Sequence, residues 1–374
     1  MTTKITKLLL QNFRNFEYKK FSFNSNLIFL SGNNGVGKTN TLEAISLLGR
    51  NPSLRGDDLE EMVMQNSQNS ANSFNIFAQL QNNDYIDNLA IKYDKNLRKK
   101  IYEFNGEVAT SKRLIEFKNY LINFIFLTPQ IEQLFIMGKS ARRDYLDKIV
   151  CDLDLSHQNR LNDYQKLLKE RLLILQKYRN QNNGNKWLEI VEGKIAEIGI
   201  AIAFARVEAI DYFNKAIESF NSNFPKTILV IKGEIEDLAI NQKAILIEDF
   251  YRKKLIENRQ IDAENFRTEF GVHRADFDAI FCKKNCLATK SSTGEQKAIM
   301  ASITLARAKI SSNYKNLATI IILDEVVSHL DDSRKSQLFD EINNIELQCF
   351  FSATSQNLIP NNYRHNFEVL DISI

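Results

Sequence analysis

Eight consecutive residues near the start of the chain have a pattern that can capture a phosphate chain. They are Gly32, Asn33, Asn34, Gly35, Val36, Gly37, Lys38 and Thr39, which match G-x-x-x-x-G-K-[ST] without exception. Glycines let main-chain N–H groups approach phosphates, the lysine adds a mobile cation, and the threonine hydroxyl suits Mg²⁺. The segment therefore predicts a P-loop for ATP and Mg²⁺.

Two acidic residues close an apolar run near the other end of the chain. Residues 318–323 read ATIIIL, and Asp324 and Glu325 follow directly. Such a run is typical of a buried parallel strand, and ligands bind at the carboxyl ends of these strands, so we expect Asp324 beside the phosphates. Asp324 is predicted to bind Mg²⁺ through its water shell, and Glu325 to polarise the attacking water as general base.

A third motif, SSTGEQK over 291–297, precedes that strand. The hydroxyl of Ser292 and the backbone of Gly294, at a helix N-terminus, would form a second anion site. One chain cannot readily bring two such sites to one ATP molecule, so the motif indicates a composite site between two copies. The alternative is an ordinary helix cap made by Ser292 or Thr293 with Glu295.

The elements that must position these motifs alternate along the chain. Short strands are predicted within 4–30, a helix over 39–48, a polar loop over 66–73 and strands over 74–107 that end at the Asn105-Gly106 turn. Later elements are predicted as a strand over 226–232, a helix over 242–259, a strand pair over 277–290, a helix over 296–311 and strands over 318–323 and 349–352.

A helical hairpin is predicted between the two groups of strands. Residues 146–178 and 187–220 have helical periodicity on either side of a polar break at 181–185. The second helix carries a coiled-coil-like apolar seam, which would pack on its sister helix or, alternatively, on another chain. The fold class expected is α/β: a P-loop head made of residues 1–132 and 263–374, with an inserted α-helical arm over 133–262.

Composition narrows the class of protein. The 374 residues carry a formal net charge of +3 and are 44% hydrophobic, which excludes large-scale disorder and permits a nucleic-acid partner without requiring one. No stretch reaches the ~18 apolar residues that a membrane span needs, so we expect a cytoplasmic protein. The four cysteines lack zinc-site spacing and are expected to be buried free thiols; they are Cys151, Cys282, Cys286 and Cys349.

Basic residues cluster at 95–100, 112–113, 139–143 and 252–254. Each cluster alone is typical of a solvated surface. If the fold brings two of them to one side, they could engage phosphates along DNA.

Taken together, the motifs resemble a known family. An S-x-G-E-Q motif between a P-loop and a terminal I-I-L-D-E strand is the signature arrangement of ABC ATPases, and the long spacer with its hairpin resembles the SMC and RecF branch. Within it, the chain resembles the RecF family of bacterial DNA replication and repair proteins over nearly its whole length. The matching strings are residues 12–16, GNNGVGKTN with 42–45, 128–130, 138–147, 273–277, SSTGEQK and LDEVVSHLDD.

The resemblance implies roles for three further residues. Gln130 is similar to the Q-loop residue that reaches the Mg²⁺ and the attacking water, Arg14 to an arginine near the phosphates, and Asp331 to the D-loop that crosses the dimer. The chain departs from the family at 271–272, where Gly-Val replaces the usual Gly-Pro. It also lacks the switch histidine of transporters, so that Ser352 or Thr354 would do that sensing.

The resemblance also implies a function. ATP would join two copies into a homodimer that grips double-stranded DNA near a gap or junction, slow hydrolysis by a weak DNA-dependent ATPase would release it, and RecO and RecR would be partners in loading RecA. A small SMC-like DNA-bridging ATPase is a second possibility, although the hairpin is short and its tip has no CxxC motif. A transporter ATPase subunit and a P-loop metabolic kinase also share the P-loop, but the signature motif disfavours the kinase.

Overall fold

The computed structural model describes residues 3–49, 54, 56, 58–65, 71–82, 85–110, 122–177, 185–220, 226–313 and 318–373. The predicted polar loop over 66–73, the basic pair at 112–113 and the hairpin tip over 181–185 fall wholly or partly outside these residues. The chain divides into two compact units. The first is Met1–Glu132, Phe220–Phe224 and Thr304–Ile374, and the second is Gln133–Ser219 and Pro225–Ile303.

Strands from both ends of the chain build the first unit, as expected. Numbered along the whole chain, they are β1 Thr3–Phe13, β2 Phe16–Ser22, β3 Leu27–Ser31, β4 Ser73–Asn82, β5 Tyr85–Asp94, β6 Lys99–Phe104, β7 Glu107–Val108, β8 Asn123–Leu127, β12 Thr319–Asp324, β13 Gln348–Ala353 and β14 Glu368–Asp371. The last of these, β14, was not predicted, because four half-exposed residues carry no clear apolar pattern.

A five-stranded parallel sheet forms the centre of this unit, in the order β14-β3-β13-β12-β8. Its inner strands are buried along their whole length, which is why they read as continuous apolar runs. Asp324 on β12 is in register with Ser352 on β13, and Ala353 with Ser31 on β3. The carboxyl ends of these strands therefore meet at one edge.

An antiparallel sheet in the order β2-β1-β4-β5-β6-β7 completes the strands of this unit. Residues of β4 alternate between buried and less buried, because one face of this sheet packs on the apolar core. The predicted Asn105-Gly106 turn is confirmed, with both residues at positive φ.

In the part of the chain that the structure describes, three α-helices lie in the first unit, and a fourth has residues in both units. They are α1 Lys38–Ser46, α2 Pro129–Glu132, α9 Thr293–Asn313 and α10 Asp332–Asn343. The helix α9 starts in the second unit and ends in the first.

The second unit is mostly helical. Its elements are α3 Lys139–Leu153, α4 His157–Lys177, α5 Asn185–Glu218, α6 Glu234–Asn241, α7 Ala244–Glu257 and α8 Arg259–Asn265, with strands β9 Thr227–Lys232, β10 Asp276–Phe281 and β11 Cys286–Leu287. Apolar residues of α4 and α5, such as Ile174 and Ile195, share one core. The apolar seam therefore packs within the chain, on its sister helix as expected and also on α6 and α7.

Two expectations about this unit are wrong. Residues 146–178 are not one helix, because Oδ1 of Asp154 accepts bonds from the N–H and the hydroxyl of Ser156 (2.9 and 2.6 Å), and these local bonds replace the helical ones. The unit also returns to the first at residue 303 instead of 262, because β10 pairs with β9, Phe277 opposite Ile231. The arm therefore includes a small antiparallel sheet.

Arg171 and Arg206 lie in the core of the second unit, with 0% and 2% of their surface exposed. Buried cations need carboxylate partners, and loss of one partner is strongly destabilising. The pairs are Arg171 with Glu192 and Asp262, and Arg206 with Asp147 and Glu236. These ion pairs join helices that are far apart in sequence.

The cysteines differ from one another in burial. All four cysteines are free thiols, but only Cys349 is buried, and Cys282 is exposed, so the expectation of burial is wrong for most of them. Among the described residues, no helix has the length and apolar character to cross a membrane.

Candidate functional site

The predicted P-loop joins β3 to α1 at the carboxyl edge of the parallel sheet. Gly32, Gly35 and Gly37 have φ angles of 145°, 86° and 111°, which residues with a side chain rarely adopt. A Cβ atom on Gly37 would also lie 2.5 Å from the ring of Phe16. The backbone path of this loop therefore requires glycine, for conformation and for space.

Lys38 is the first residue of α1, and only 5% of its surface is exposed. Its Nζ donates to the main-chain oxygens of Gly32 and Asn33, at 2.7 and 2.9 Å. No carboxylate of the described residues lies within ion-pair distance of this ammonium. Phosphate oxygens can therefore replace these carbonyl oxygens as acceptors, since charged acceptors bind an ammonium more strongly than carbonyls do.

Thr39 and Asp324 come together beside the loop. The Thr39 hydroxyl lies 3.4 Å from Oδ1 of Asp324, which ends β12 and is buried. Ser352, on the neighbouring strand, donates to the same Oδ1. Mg²⁺ prefers oxygen ligands, so the Thr39 hydroxyl and the Asp324 carboxylate fit this ion and would hold it. When bound, the ion would neutralise charge on the phosphates.

Gln130 lines the same cavity as Thr39 and Asp324. It lies in α2, directly after β8, and lines one open cavity with Thr39, Asp324 and Glu325. The structure thus brings together four of the residues predicted for metal binding and catalysis. The individual role of Gln130 stays a prediction.

Glu325 has a strained backbone. Its φ of 57° is in the left-handed region, which costs a residue with a side chain about 1 kcal/mol or more. Its N–H donates to the main-chain oxygen and to Oγ of Ser352, at 3.2 and 3.1 Å. The strand end is thereby held with Glu325 at the cavity, where its carboxylate can accept a proton from water.

The two candidates for the switch residue occupy different places. Ser352 is fully buried and contacts Asp324. Thr354 is exposed and lines a second open cavity that includes Gly32 and Asn33 of the P-loop. Which of the two senses the nucleotide stays a prediction.

Arg14 forms an ion pair with Glu43, which was not expected. Its guanidinium binds the carboxylate of Glu43 through two bonds of 2.8 and 2.9 Å and donates to the Glu61 main-chain oxygen at 3.1 Å. Glu43 lies in α1 and is fully buried. Arg14 thus links β1 to the P-loop helix, and its predicted place near the phosphates stays a prediction.

In the second unit, the SSTGEQ motif opens α9 as expected. Ser292 is exposed, and its N–H donates to Oε2 of Glu295 at 2.9 Å. The ammonium of Lys284, at 2.6 Å, and this N–H lower the pKa of Glu295 to about 2. One half of a capping box is therefore present, and the Ser292 hydroxyl also bonds to Glu295. The anion site predicted at Ser292 and Gly294 stays a prediction.

Asp331 caps α10. Its carboxylate accepts the N–H of Arg334 at 2.9 Å, and more than half of its side chain is exposed. This cap accounts for the residue within one chain. The predicted D-loop contact across a dimer stays a prediction.

Two features of the site were missed. Glu43 has a sequence signal, since a carboxylate amid the apolar Leu42, Ala44 and Ile45 suggests a buried ion pair. The second is the segment after β14, where the Ile372 N–H donates to the Ser31 oxygen at 2.9 Å. No local pattern in residues 371–373 predicts contact with the P-loop.

Comparisons with known proteins bear on the family and the fold of this chain. The family model for the RecF/RecN/SMC N terminal domain matches residues 4–370. The DNA replication and repair protein RecF of Rickettsia prowazekii (strain Madrid E) is 34% identical over 354 residues, which are 95% of each chain. RecF of Rickettsia typhi (strain ATCC VR-144 / Wilmington) has the same identity and coverage.

Solved structures have a similar fold. A structure of the recombination mediator protein RecF with ATP, in the RecFOR pathway, matches with a TM-score of 0.78 and 23% identity, over 100% of this chain and 98% of that one. The Smc head domain of Pyrococcus furiosus, bound to the C-terminal domain of ScpA, matches with a TM-score of 0.58 and 16% identity, over 99% and 94%. The fold is therefore that of an ABC-type ATPase head. By the family model and by relatives at 34% identity, the chain belongs to the RecF family of DNA replication and repair proteins.

Proposed function

We propose that this chain is an ATP-dependent DNA-binding switch of recombinational repair. The observation that carries the proposal is the meeting of Thr39, Asp324, Glu325 and Gln130 in one cavity next to the P-loop. Residues of these types around one cavity support nucleotide hydrolysis with Mg²⁺. A RecF protein with ATP is among the structures of similar fold.

In the proposed cycle, the P-loop N–H groups and Lys38 bind the phosphates of ATP. Thr39 and Asp324 hold the Mg²⁺, while Gln130 orients the attacking water and Glu325 takes its proton. Hydrolysis is proposed to be slow and to serve release.

Dimerisation is proposed to complete the site. Ser292 is exposed where α9 begins and Gly294 lies in the first turn of this helix, which supports a role on the ATP of a second copy. Asp331 would contribute from the neighbouring loop. The DNA is proposed to be a duplex next to a gap, with RecO and RecR as partners in loading RecA, as the family resemblance and the RecFOR name of the similar structure suggest.

Replacement of Lys38 by Ala tests the proposal. The variant should lose ATP binding, because the cation of the P-loop is gone, and should keep its fold, because Nζ contacts only main-chain oxygens in the described structure. Titration with a fluorescent ATP analogue measures the first, and circular dichroism the second. Lys20→Ala, an exposed lysine of β2, is the matched control.

Light scattering then measures the mass of each protein with ATP, with and without a gapped duplex. Wild type and Lys20→Ala should double in mass with ATP, and Lys38→Ala should not. ATP affinity of wild-type strength in folded Lys38→Ala would refute the P-loop assignment. A wild type that binds ATP but never gapped DNA would refute the DNA-binding switch.

A further inference from the structure

A loop in the second unit, Gly271 to Asp276, is held rigidly by buried groups. The N–H of Val272 donates to Oη of Tyr251 at 3.2 Å, and its carbonyl accepts from Arg206 at 2.8 Å. Gly271 has a φ of 135°, and a Cβ there would lie 2.3 Å from Oη of Tyr251. The core thus fixes the backbone of this loop.

His273 belongs to the support of the loop. Its Nδ1 contacts Oη of Tyr164 at 3.0 Å, and its Nε2 contacts the Thr268 oxygen at 2.8 Å. Burial and the nearby cations Arg274 and Arg143 lower the pKa of His273 to about 4. The ring is therefore neutral at pH 7, and any positive charge here comes from other residues.

Three cations face one open cavity beside this loop. Lys139, Arg143 and Arg274 line it together with His273 and Glu269. Lys139 begins α3, so the positive end of the helix dipole lies at the same place. We refer to this site as the basic cavity.

The paired arginines of α3 have different roles. Arg142 is buried and makes two 2.9 Å bonds to the carboxylate of Asp276, so its charge is neutralised. Among the described residues, Arg143 donates only to a neutral oxygen, that of Ala275 at 2.8 Å, and burial together with Arg206 lowers its pKa. An anion in the basic cavity would relieve this unfavourable charge.

The carboxylate of Glu269 already occupies part of the basic cavity. It contacts Nη2 of Arg274 at 2.5 Å and also pairs with Arg267. The basic cavity thus accommodates a carboxylate, which has the charge and the acceptor oxygens of a phosphodiester. Because Glu269 is only partly buried, a phosphate can compete with it for Arg274.

An exposed aromatic residue precedes this group. Phe266 has 64% of its surface exposed, at a φ of 54°, and Arg267 follows it. Arg267 in turn pairs with Glu269, which lines the basic cavity. An exposed aromatic residue next to a cation in sequence is typical of surfaces that bind nucleic acid, where bases stack on rings and cations bind phosphates. It favours nucleic acid over an acidic peptide.

We propose that the basic cavity of Lys139, Arg143 and Arg274 binds the phosphate backbone of a nucleic-acid strand, which displaces Glu269 from Arg274. The inference rests on the proposed DNA-binding function and assigns that function to a surface of the second unit. Glu269 acts as an internal competitor that weakens binding.

Fluorescence anisotropy with a labelled gapped duplex and a non-hydrolysable ATP analogue, in about 50–200 mM NaCl, tests the inference. Lys139→Ala and Arg274→Gln should each lower affinity about three- to tenfold and reduce the slope of log K against log salt by about 1. Glu269→Gln should raise affinity by a similar factor, a gain that a merely structural ion pair would not produce. Nζ of Lys139 lies 4.0 Å from Oδ2 of Asp276. Lys166→Ala, an exposed lysine of α4 that is likewise near an aspartate, is therefore the control and should change nothing.

Each outcome separates the two proposals. A wild type with no affinity for the duplex would refute the proposed function as well as this inference. Wild-type binding with unchanged Lys139→Ala and Glu269→Gln would overturn only the inference, even if Arg274→Gln failed to fold. If Lys139→Ala or Arg274→Gln lost the ATP-dependent dimer but kept wild-type DNA affinity, the inference would also be overturned. The basic cavity would then bind a carboxylate of a second copy.

Discussion

The hydroxyl of Ser352 bonds to two neighbouring acidic residues at once. It donates to Oδ1 of Asp324 and accepts the N–H of Glu325, from a strand in register with theirs. One small buried side chain thus orients the proposed metal ligand and the proposed base. Ser352 is therefore a positioning residue for both.

Ser352→Ala should leave ATP affinity nearly unchanged and lower ATP turnover about 10- to 100-fold, the effect of losing the partner of a metal ligand. Because Asp324 loses its orienting bond, the variant should also need more Mg²⁺ for half-maximal rate. Initial rates over a Mg²⁺ titration measure both. An unchanged Mg²⁺ requirement would show that Ser352 does not act through Asp324.

Two replacements at Glu325 separate its charge from its backbone strain. Glu325→Gln should bind ATP, stall hydrolysis and accumulate a long-lived ATP dimer, because the amide keeps the shape and loses the base. Glu325→Gly should also stall hydrolysis, but its free energy of unfolding should exceed that of Glu325→Gln by about 1 kcal/mol, since glycine accepts a φ of 57°.

Turnover rates, light scattering and urea unfolding of the two variants provide the measurements. Normal turnover in Glu325→Gln would move the role of base elsewhere, with Gln130 the next candidate.

Ser292→Arg should bind ATP like wild type, because the P-loop is untouched, and should fail to dimerise with a non-hydrolysable ATP analogue. The start of the helix should survive, since the N–H of residue 292 still bonds to Oε2 of Glu295 when the hydroxyl contact is lost. Sedimentation measures the mass. Ser292→Ala is the control for bulk and charge, and it should retain most of the dimer.

A mixture sharpens this prediction. If Ser292→Arg is combined with Lys38→Ala, one of the two sites in a mixed dimer carries both defects and the other is intact. Partial recovery of dimer in the mixture is the expected result. Wild-type dimerisation by Ser292→Arg alone would contradict the composite site.

His273 makes stability depend on pH. The unfolded chain takes up a proton on this ring below about pH 6.5, whereas the folded protein resists it until about pH 4. The unfolded state therefore binds more protons in this window, and the contribution of His273 to the free energy of unfolding should fall by about 2 kcal/mol from pH 7 to pH 5.

His273→Gln, which keeps a donor for the Thr268 oxygen, should show a correspondingly smaller loss in urea unfolding at the two pH values. Equal losses in wild type and variant would mean that the ring is protonated in the folded protein.

Local patterns predicted most elements of the fold. The P-loop and the Asp324 strand end were predictable because each is a continuous segment whose chemistry depends on its neighbours in sequence. The break at Asp154 and the extent of the second unit were not. The first depends on a side chain competing with the helix, and the second on the pairing of β9 with β10, which no local period reveals.

The same distinction applies within the candidate site. Thr39 and Asp324 were expected to meet because parallel strands end at one edge. The pairing of Arg14 with Glu43 and the contact of Ile372 with Ser31 join residues from separate segments, and only the folded chain brings them together. Sequence therefore predicted which residues meet at the site better than it predicted the contacts that support them.

The position of β3 between β13 and β14 has a consequence for synthesis on the ribosome. The strand that leads into the P-loop emerges early, yet both of its neighbours are made near the end of translation. At a translation rate of roughly 5–20 residues per second, β3 lacks its two neighbouring strands for on the order of tens of seconds. Chaperones that cover apolar strands should therefore matter to this protein, and nascent chains cannot compete for cellular nucleotide until translation is almost finished.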